Sequence, residues 1–331
     1  VRVTARENKM TNTANEPATP PAIPAPSREA MLGTISAGLG YTLWGVSVIY
    51  YKQLIEISPF EVLAHRSVWT VLLLVPAVWA LHRFGLFRAA LKNKRILGTL
   101  ALTALIIGSN WFVFIYSINE SRVVETSLGY YINPLVSVLM GVFFLSEKLS
   151  KAQIVAVVLA AAGVANMTWA LGELPWISLF LAFSFAGYGY LRKITPVGAV
   201  EGLLVEMLVL LPVSLGYLLW LEGTAGTSFV GGDAWTIFLL MMTGPMTAVP
   251  LLLFTYGAQR IRLATLGLMQ YFAPTLQFFF AVWLYGETLT DTHIVTFALI
   301  WAGLAIFSGD TWWRERELRK LARLSAAAER G

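Results

Sequence analysis

Glu206 stands inside an uninterrupted apolar run, about two turns from its start, deeper than a side chain normally reaches water. A carboxylate there could relay a proton or pair with a cation. Arg66, with His65 beside it, lies about two turns into another run measured from the opposite face, and Lys52 ends the run before it. Arg66 could bind an anionic group. Snorkelling or a stabilising ion pair is the plainer use for all three. Uncharged polar groups lie inside apolar runs as well, mostly other ones: Ser109, Asn110 and Trp111; Tyr130, Tyr131 and Asn133; Gln270, Tyr271 and Gln277; Trp44, Tyr188 and Tyr190. Amides beside aromatics can hold a small organic solute by stacking and hydrogen bonding. Any one ring could equally be packing or part of an interfacial belt. The expected solute-lining set is Trp44, Arg66, Asn110, Trp111, Tyr131, Asn133, Tyr188, Gln270, Tyr271 and Gln277, with Glu206 as the expected coupling group.

Other chemistries lack their residues. The chain has no cysteine, and His65, His82 and His293 are scattered, so no metal site, disulfide or thiolate nucleophile is expected. No GxSxG, HExxH or GxxxxGK[ST] pattern occurs, and Glu206 is the only carboxylate well inside an apolar run. Neither an enzyme, a bound cofactor nor transport by the chain's own ATP hydrolysis is expected.

These polar residues are embedded in a chain that is 57% hydrophobic and 13% charged, against roughly 25% charged for an average soluble domain. Ten runs near the roughly 20 residues needed to cross a bilayer follow one another: 33–54, 60–81, 96–118, 126–146, 152–171, 175–192, 200–221, 234–257, 265–286 and 292–309. Lys and Arg alternate between the connecting loops. Arg83, Arg88, Lys92, Lys94 and Arg95, then Lys148 and Lys151, Arg192 and Lys193, and Arg260 and Arg262 lie on one side, whereas 172–175, 222–233 and 287–291 hold none. The positive-inside bias puts that basic side and both termini in the cytoplasm. The formal charge of +5 therefore reads as topology, not as a nucleic-acid surface. Residues 1–32, rich in Pro, Ala and Thr, read as a disordered cytoplasmic tail, with Met31 as a plausible native start, and 310–331 as a basic one.

A shift of 140 positions superposes Thr103 on Thr243, Phe114 on Phe254, Arg122 on Arg262, Tyr131 on Tyr271, Pro134 on Pro274, Glu147 on Glu287 and Gly163 on Gly303 without a gap. A nearby shift sets Ile35, Ser36 and Gly45 on Ile177, Ser178 and Gly187. Each half, 33–171 and 175–309, holds five runs. An odd number makes the second half enter the membrane inverted, which predicts alternating access around a central site. Paired prolines, Pro76 with Pro212 and Pro134 with Pro274, favour kinks beside a wet cavity. Ala161 with Ala165 and Ala298 with Ala302 give the fifth and tenth runs small-residue stripes, suited to bracing each half or to a homodimer contact.

HRSVW at 65–69, SNW at 109–111, SLGYYINPL at 127–135, FSFAGYGYLRK at 183–193, VPLLLF at 249–254, QYFAPT at 270–275 and YGE at 285–287 resemble the RarD proteins, of the EamA group in the drug/metabolite transporter superfamily. The resemblance runs from Gly33 to Asp310. It implies a ten-helix basket with a central cavity in the plasma membrane, and relatives commonly labelled chloramphenicol-sensitivity permeases. The expectation is an all-α integral membrane protein: ten transmembrane helices as two inverted five-helix repeats around a central cavity. It would carry a small organic solute, proton-coupled through Glu206, with solute and lipid bilayer as its partners. A membrane scaffold or intramembrane enzyme is the competing class.

Overall fold

The structure is a computed structural model that describes residues 28–119, 123–171, 176–284 and 290–328. Most of the N-terminal tail, Arg122 and Glu287 fall outside the described residues. Every regular element among them is helical: α1 (Arg28–Tyr51, continued by a 3-10 turn, Lys52–Leu54), α2 (Pro59–Ala80), α3 (Phe84–Lys92), α4 (Lys94–Asn119), α5 (Val123–Leu145), α6 (Lys151–Leu171), α7 (Trp176–Ile194), α8 (Ala199–Thr224), α9 (Ala234–Ala258), α10 (Leu263–Met269), α11 (Phe272–Trp283) and α12 (Asp291–Ala328). Among these, α1, α2, α4, α5, α6, α8, α9 and α12 are long and apolar enough to cross a bilayer. The chain is a multi-pass membrane protein.

Local chemistry sets the boundaries. Pro59 opens α2, where its missing N–H costs nothing. Asp233 caps α9 by accepting the Thr236 amide at 2.8 Å. His82 (φ 55°) and Ser146 (φ 53°) adopt the left-handed conformation that ends α2 and α5.

Three elements differ from the sequence reading. The run expected at 265–286 breaks between Met269 and Phe272 into α10 and α11. Pro274 lacks the amide that would reach the Gln270 carbonyl, and the Ala273 amide takes that carbonyl instead at 3.1 Å in a tighter turn. The basic connection after α2 is not all loop: α3 sets Ala90 inward and leaves Arg88 and Lys92 exposed. Finally, α12 continues through the expected basic tail to Ala328.

In packing, α6 lies along α12 and α5 along α7; α1 contacts α9 and α11, α2 contacts α8 and α9, and α4 contacts α7 and α8. One core joins α1, α2, α4, α7, α8 and α9 through Tyr41, Leu74, Ile107, Tyr188, Met207 and Phe254. A second joins α5, α6, α10 and α12 through Leu128, Tyr131, Ala160, Leu268, Tyr271 and Phe297. Glycines let α6 and α12 meet closely. A Cβ on Gly163 would lie 3.0 Å from the Thr296 carbonyl, and one on Gly303 would lie 2.6 Å from the Ala156 carbonyl. The alanine stripes Ala161, Ala165, Ala298 and Ala302 face outward from that pair.

One end of the bundle collects the basic residues and its closing contacts. Arg260 pairs with Glu29 at 2.6 Å and Arg83 with Glu201 at 2.9 Å. Ser150 donates to Asp310 at 2.7 Å. The Lys193 amine donates to the Ala258 and Ile261 carbonyls. Glu147 accepts the Leu263 and Ala264 amides at 2.6 and 2.9 Å, capping α10 from the end of α5. At the other end, Tyr50 donates to the Leu239 carbonyl and Glu61 accepts the Ser228 amide and hydroxyl.

Candidate functional site

Arg66 projects from the second turn of α2, toward the end of the bundle away from most basic side chains. Its Nε donates to Thr247 Oγ1 on α9 at 2.9 Å. Its guanidinium carbon lies 4.4 Å from the Trp111 ring centroid on α4 and 5.8 Å from the Tyr51 ring on α1. Rings cover the flat face of the cation and leave the N–H groups of its edge to donate. Arg66 is half-buried, and no described carboxylate lies within ion-pair distance of it. His65 is occupied elsewhere: it accepts from Trp69 Nε1 at 3.2 Å and lies against Phe229.

Seven residues before Tyr51 on α1, hence about two turns and about 10 Å along the axis on a similar face, Trp44 joins an aromatic group. Its ring lies 5.7 Å from Phe185 and 5.8 Å from Phe254, and Tyr188 stacks on Phe254 at 6.1 Å and 16°. Gln277 Nε2 donates to the Trp44 carbonyl at 3.2 Å. Trp111 and Trp44 both pack on the first core, so the surroundings of Arg66 and the aromatic group border the same core.

The remaining expected residues are placed differently. Asn110 Nδ2 donates to the Leu181 carbonyl (3.1 Å) and Ser184 Oγ (2.8 Å), tying α4 to α7. Asn133 accepts from Ser137 at 3.3 Å within α5. Gln270 is buried at the break between α10 and α11. Tyr271 donates its hydroxyl to the Tyr131 carbonyl at 3.0 Å, and Tyr131 meets Phe297 edge-on at 5.6 Å, which sets both tyrosines in the second core.

Glu206 is fully buried on α8 among partners from two other helices. Thr103 Oγ1 of α4 lies 2.6 Å from Oε1, and the Tyr188 hydroxyl of α7 lies 3.2 Å from Oε2. Arg192 Nε, also fully buried, is 3.5 Å from Oε1. That is a charge contact and not a hydrogen bond, because Arg192 Nε and Nη1 have no hydrogen-bond partner. Gly202 makes room for it: a Cβ there would collide with the guanidinium.

Arg192, Thr103 and Thr247 are absent from the sequence-derived set. Arg192 reads there as half of a basic loop pair. Its position four residues after Tyr188 is the signal that could have found it, because i and i+4 share one helix face. A surface groove of about 440 Å³ at the basic end is lined by Lys193, Thr195, Val197, Gly198 and Gln259. Its one cation, Lys193, is already committed to backbone carbonyls. Among the described residues no three His, Cys, Asp or Glu side chains converge as metal ligands would.

The model of the EamA-like transporter family matches residues 31–169. A transporter of Vibrio cholerae serotype O1, itself uncharacterized, is 43% identical over 284 residues, spanning 86% of this chain and 94% of its own length. Protein RarD of Salmonella typhi is 41% identical over 292 residues, spanning 88% of this chain and 99% of its own. A crystal structure of another protein superposes with a TM-score of 0.66 over 85% of this chain and 98% of that one, at 17% identity, a likeness of fold alone.

Proposed function

The chain belongs to the EamA-like transporter family, alongside the RarD proteins, and is a membrane transporter of the drug/metabolite type; from that premise we propose a secondary active carrier working by alternating access. In this reading ten spans form two inverted five-span halves around a central cavity, with α7 and the α10–α11 pair completing the eight longer spans. The carrier sits in the plasma membrane with the basic end, and both termini, in the cytoplasm.

The observation that carries the reading is reciprocity. Gly163 abuts Thr296 and Gly303 abuts Ala156, and both pairs of counterparts are offset by the same 140 positions; Tyr271 bonds Tyr131 across that same offset. Contacts that map onto themselves when the halves are exchanged are what a twofold axis between inverted halves produces. The helix packing supports the same exchange: α1 with α9 answers α7 with α4, and α1 with α11 answers α7 with α5.

Glu206 is the coupling group in this reading. Its partners come from α4 in one half and α7 in the other, so its environment changes whenever the halves move relative to each other. Protonating it would remove the charge that holds Arg192. The outward-facing alanines of α6 and α12 are where a second copy would pack.

The test is transport by purified protein in liposomes, loaded with a mixed metabolite and antibiotic panel and read by mass spectrometry with and without a proton gradient. Gradient-driven movement that collapses in Glu206→Gln supports proton coupling. Movement indifferent to the gradient removes the coupling and keeps the carrier. No movement by protein shown to be folded would favour a scaffold or intramembrane enzyme.

A further inference from the structure

We infer that the transported solute carries an anionic group, a carboxylate, sulfonate or phosphate, which Arg66 binds through its terminal nitrogens, with a flat apolar body directed toward Trp111 and Trp44. The inference rests on the carrier reading and names the class of its substrate.

A guanidinium in an apolar span is costly unless something answers its charge. The fully buried guanidinium of Arg192 is answered: it faces Glu206. The Lys193 amine is spread over two carbonyls. Among the described residues Arg66 has only a neutral hydroxyl on Nε and rings over its face, at 2.9 Å and 4.4 Å. Its two terminal nitrogens have no described protein acceptor, and together they present the planar fork that matches a two-oxygen anion.

The surroundings pre-set that fork. Thr247 fixes Nε from α9, and Trp111 and Tyr51 hold the plane from α4 and α1. The cation therefore keeps one orientation without spending a ligand's binding energy on ordering it. Three helices converge on it, one from the second half of the chain, so an anion bound there touches elements that move relative to one another. Beyond the cation the packing turns aromatic: Trp111 belongs to the core on which Trp44 packs, and Phe185 and Phe254 lie against Trp44. Such surroundings favour a planar or apolar body on the anion over a small inorganic ion.

The test uses three probes of one shape and different charge: phenylacetate, phenylacetamide and phenethylammonium. Binding is read by isothermal titration and by thermal shift of the purified protein, and transport by the same probes in liposomes. Phenylacetate is expected to bind best, with Arg66→Gln weakening it roughly ten- to hundredfold and Arg66→Lys less. Thr247→Val is expected to weaken it by a smaller factor while the melting curve stays cooperative. Preference for the neutral or cationic probe, equal binding of all three, or phenylacetate binding unchanged in a folded Arg66→Gln variant would each overturn the inference. A folded protein that binds phenylacetate through Arg66 yet transports nothing would keep the anion site and sink the carrier reading. Transport confined to neutral or cationic solutes would do the reverse.

Discussion

Arg192 and Glu206 face each other with Nε and Oε1 3.5 Å apart, and neither side chain is exposed to solvent. Removing one partner strands the other charge in a medium that cannot solvate it. Arg192→Met or Glu206→Gln alone should therefore destabilise the protein, by about 3–5 kcal/mol for a buried pair, whereas the double change should recover most of that loss. Thermal unfolding in nanodiscs checks it; additive losses would show that the pair is not coupled.

Glu147 holds the first turn of α10 by accepting the Leu263 and Ala264 amides. Glu147→Ala should cost about 1–2 kcal/mol, the scale of a lost helix cap, and Glu147→Gln less. Hydrogen exchange reads this directly. Amides of α10 should exchange faster in the alanine variant, with those of α6 unchanged.

Gly45 and Gly187, matched in the two halves, have opposite surroundings. A Cβ on Gly45 would lie 2.7 Å from Leu276 Cβ and 3.2 Å from the Ala273 carbonyl, while one on Gly187 meets nothing within 4 Å. Gly45→Ala should lower the melting temperature and Gly187→Ala should leave it unchanged. If the halves exchange roles during a cycle, Gly187 must enter the tight packing that Gly45 now has. Gly187→Ala should then slow transport without loss of stability, and full transport by this variant would count against exchange.

Tyr271 spends its hydroxyl on the Tyr131 carbonyl. Tyr271→Phe should cost about 1 kcal/mol, the usual net worth of one hydrogen bond. Matched losses in melting temperature for Tyr271→Phe in wild-type and Pro274→Ala backgrounds would show that this bond acts independently of the helix break beside it.

Much of this architecture is legible without coordinates, since apolar runs of bilayer length and loops of alternating charge are direct consequences of solvation. The matched Gly163 and Gly303 mark a close helix contact before it is seen. Individual side-chain roles are less legible. Glu206 announces its burial by its depth in an apolar run, but its partner Arg192 hides in a basic pair at a helix end, because hydropathy does not record which way the last turn of α7 faces. Pro134 and Pro274 look equivalent in sequence, yet α5 runs unbroken through one while the chain divides near the other. A proline removes one hydrogen bond in either case, and the neighbouring packing decides whether the helix bends or breaks.

The length of α12 has a practical consequence. From Asp310 to Ala328 the helix continues for about 27 Å at 1.5 Å per residue, so this segment is a rod and not a tether. A 36.5 kDa protein built largely of membrane-crossing helices offers little contrast for particle alignment in electron microscopy. A rigid helical fusion continuing α12 in phase would give every particle a landmark of fixed orientation, leaving the loops and the surroundings of Arg66 unaltered.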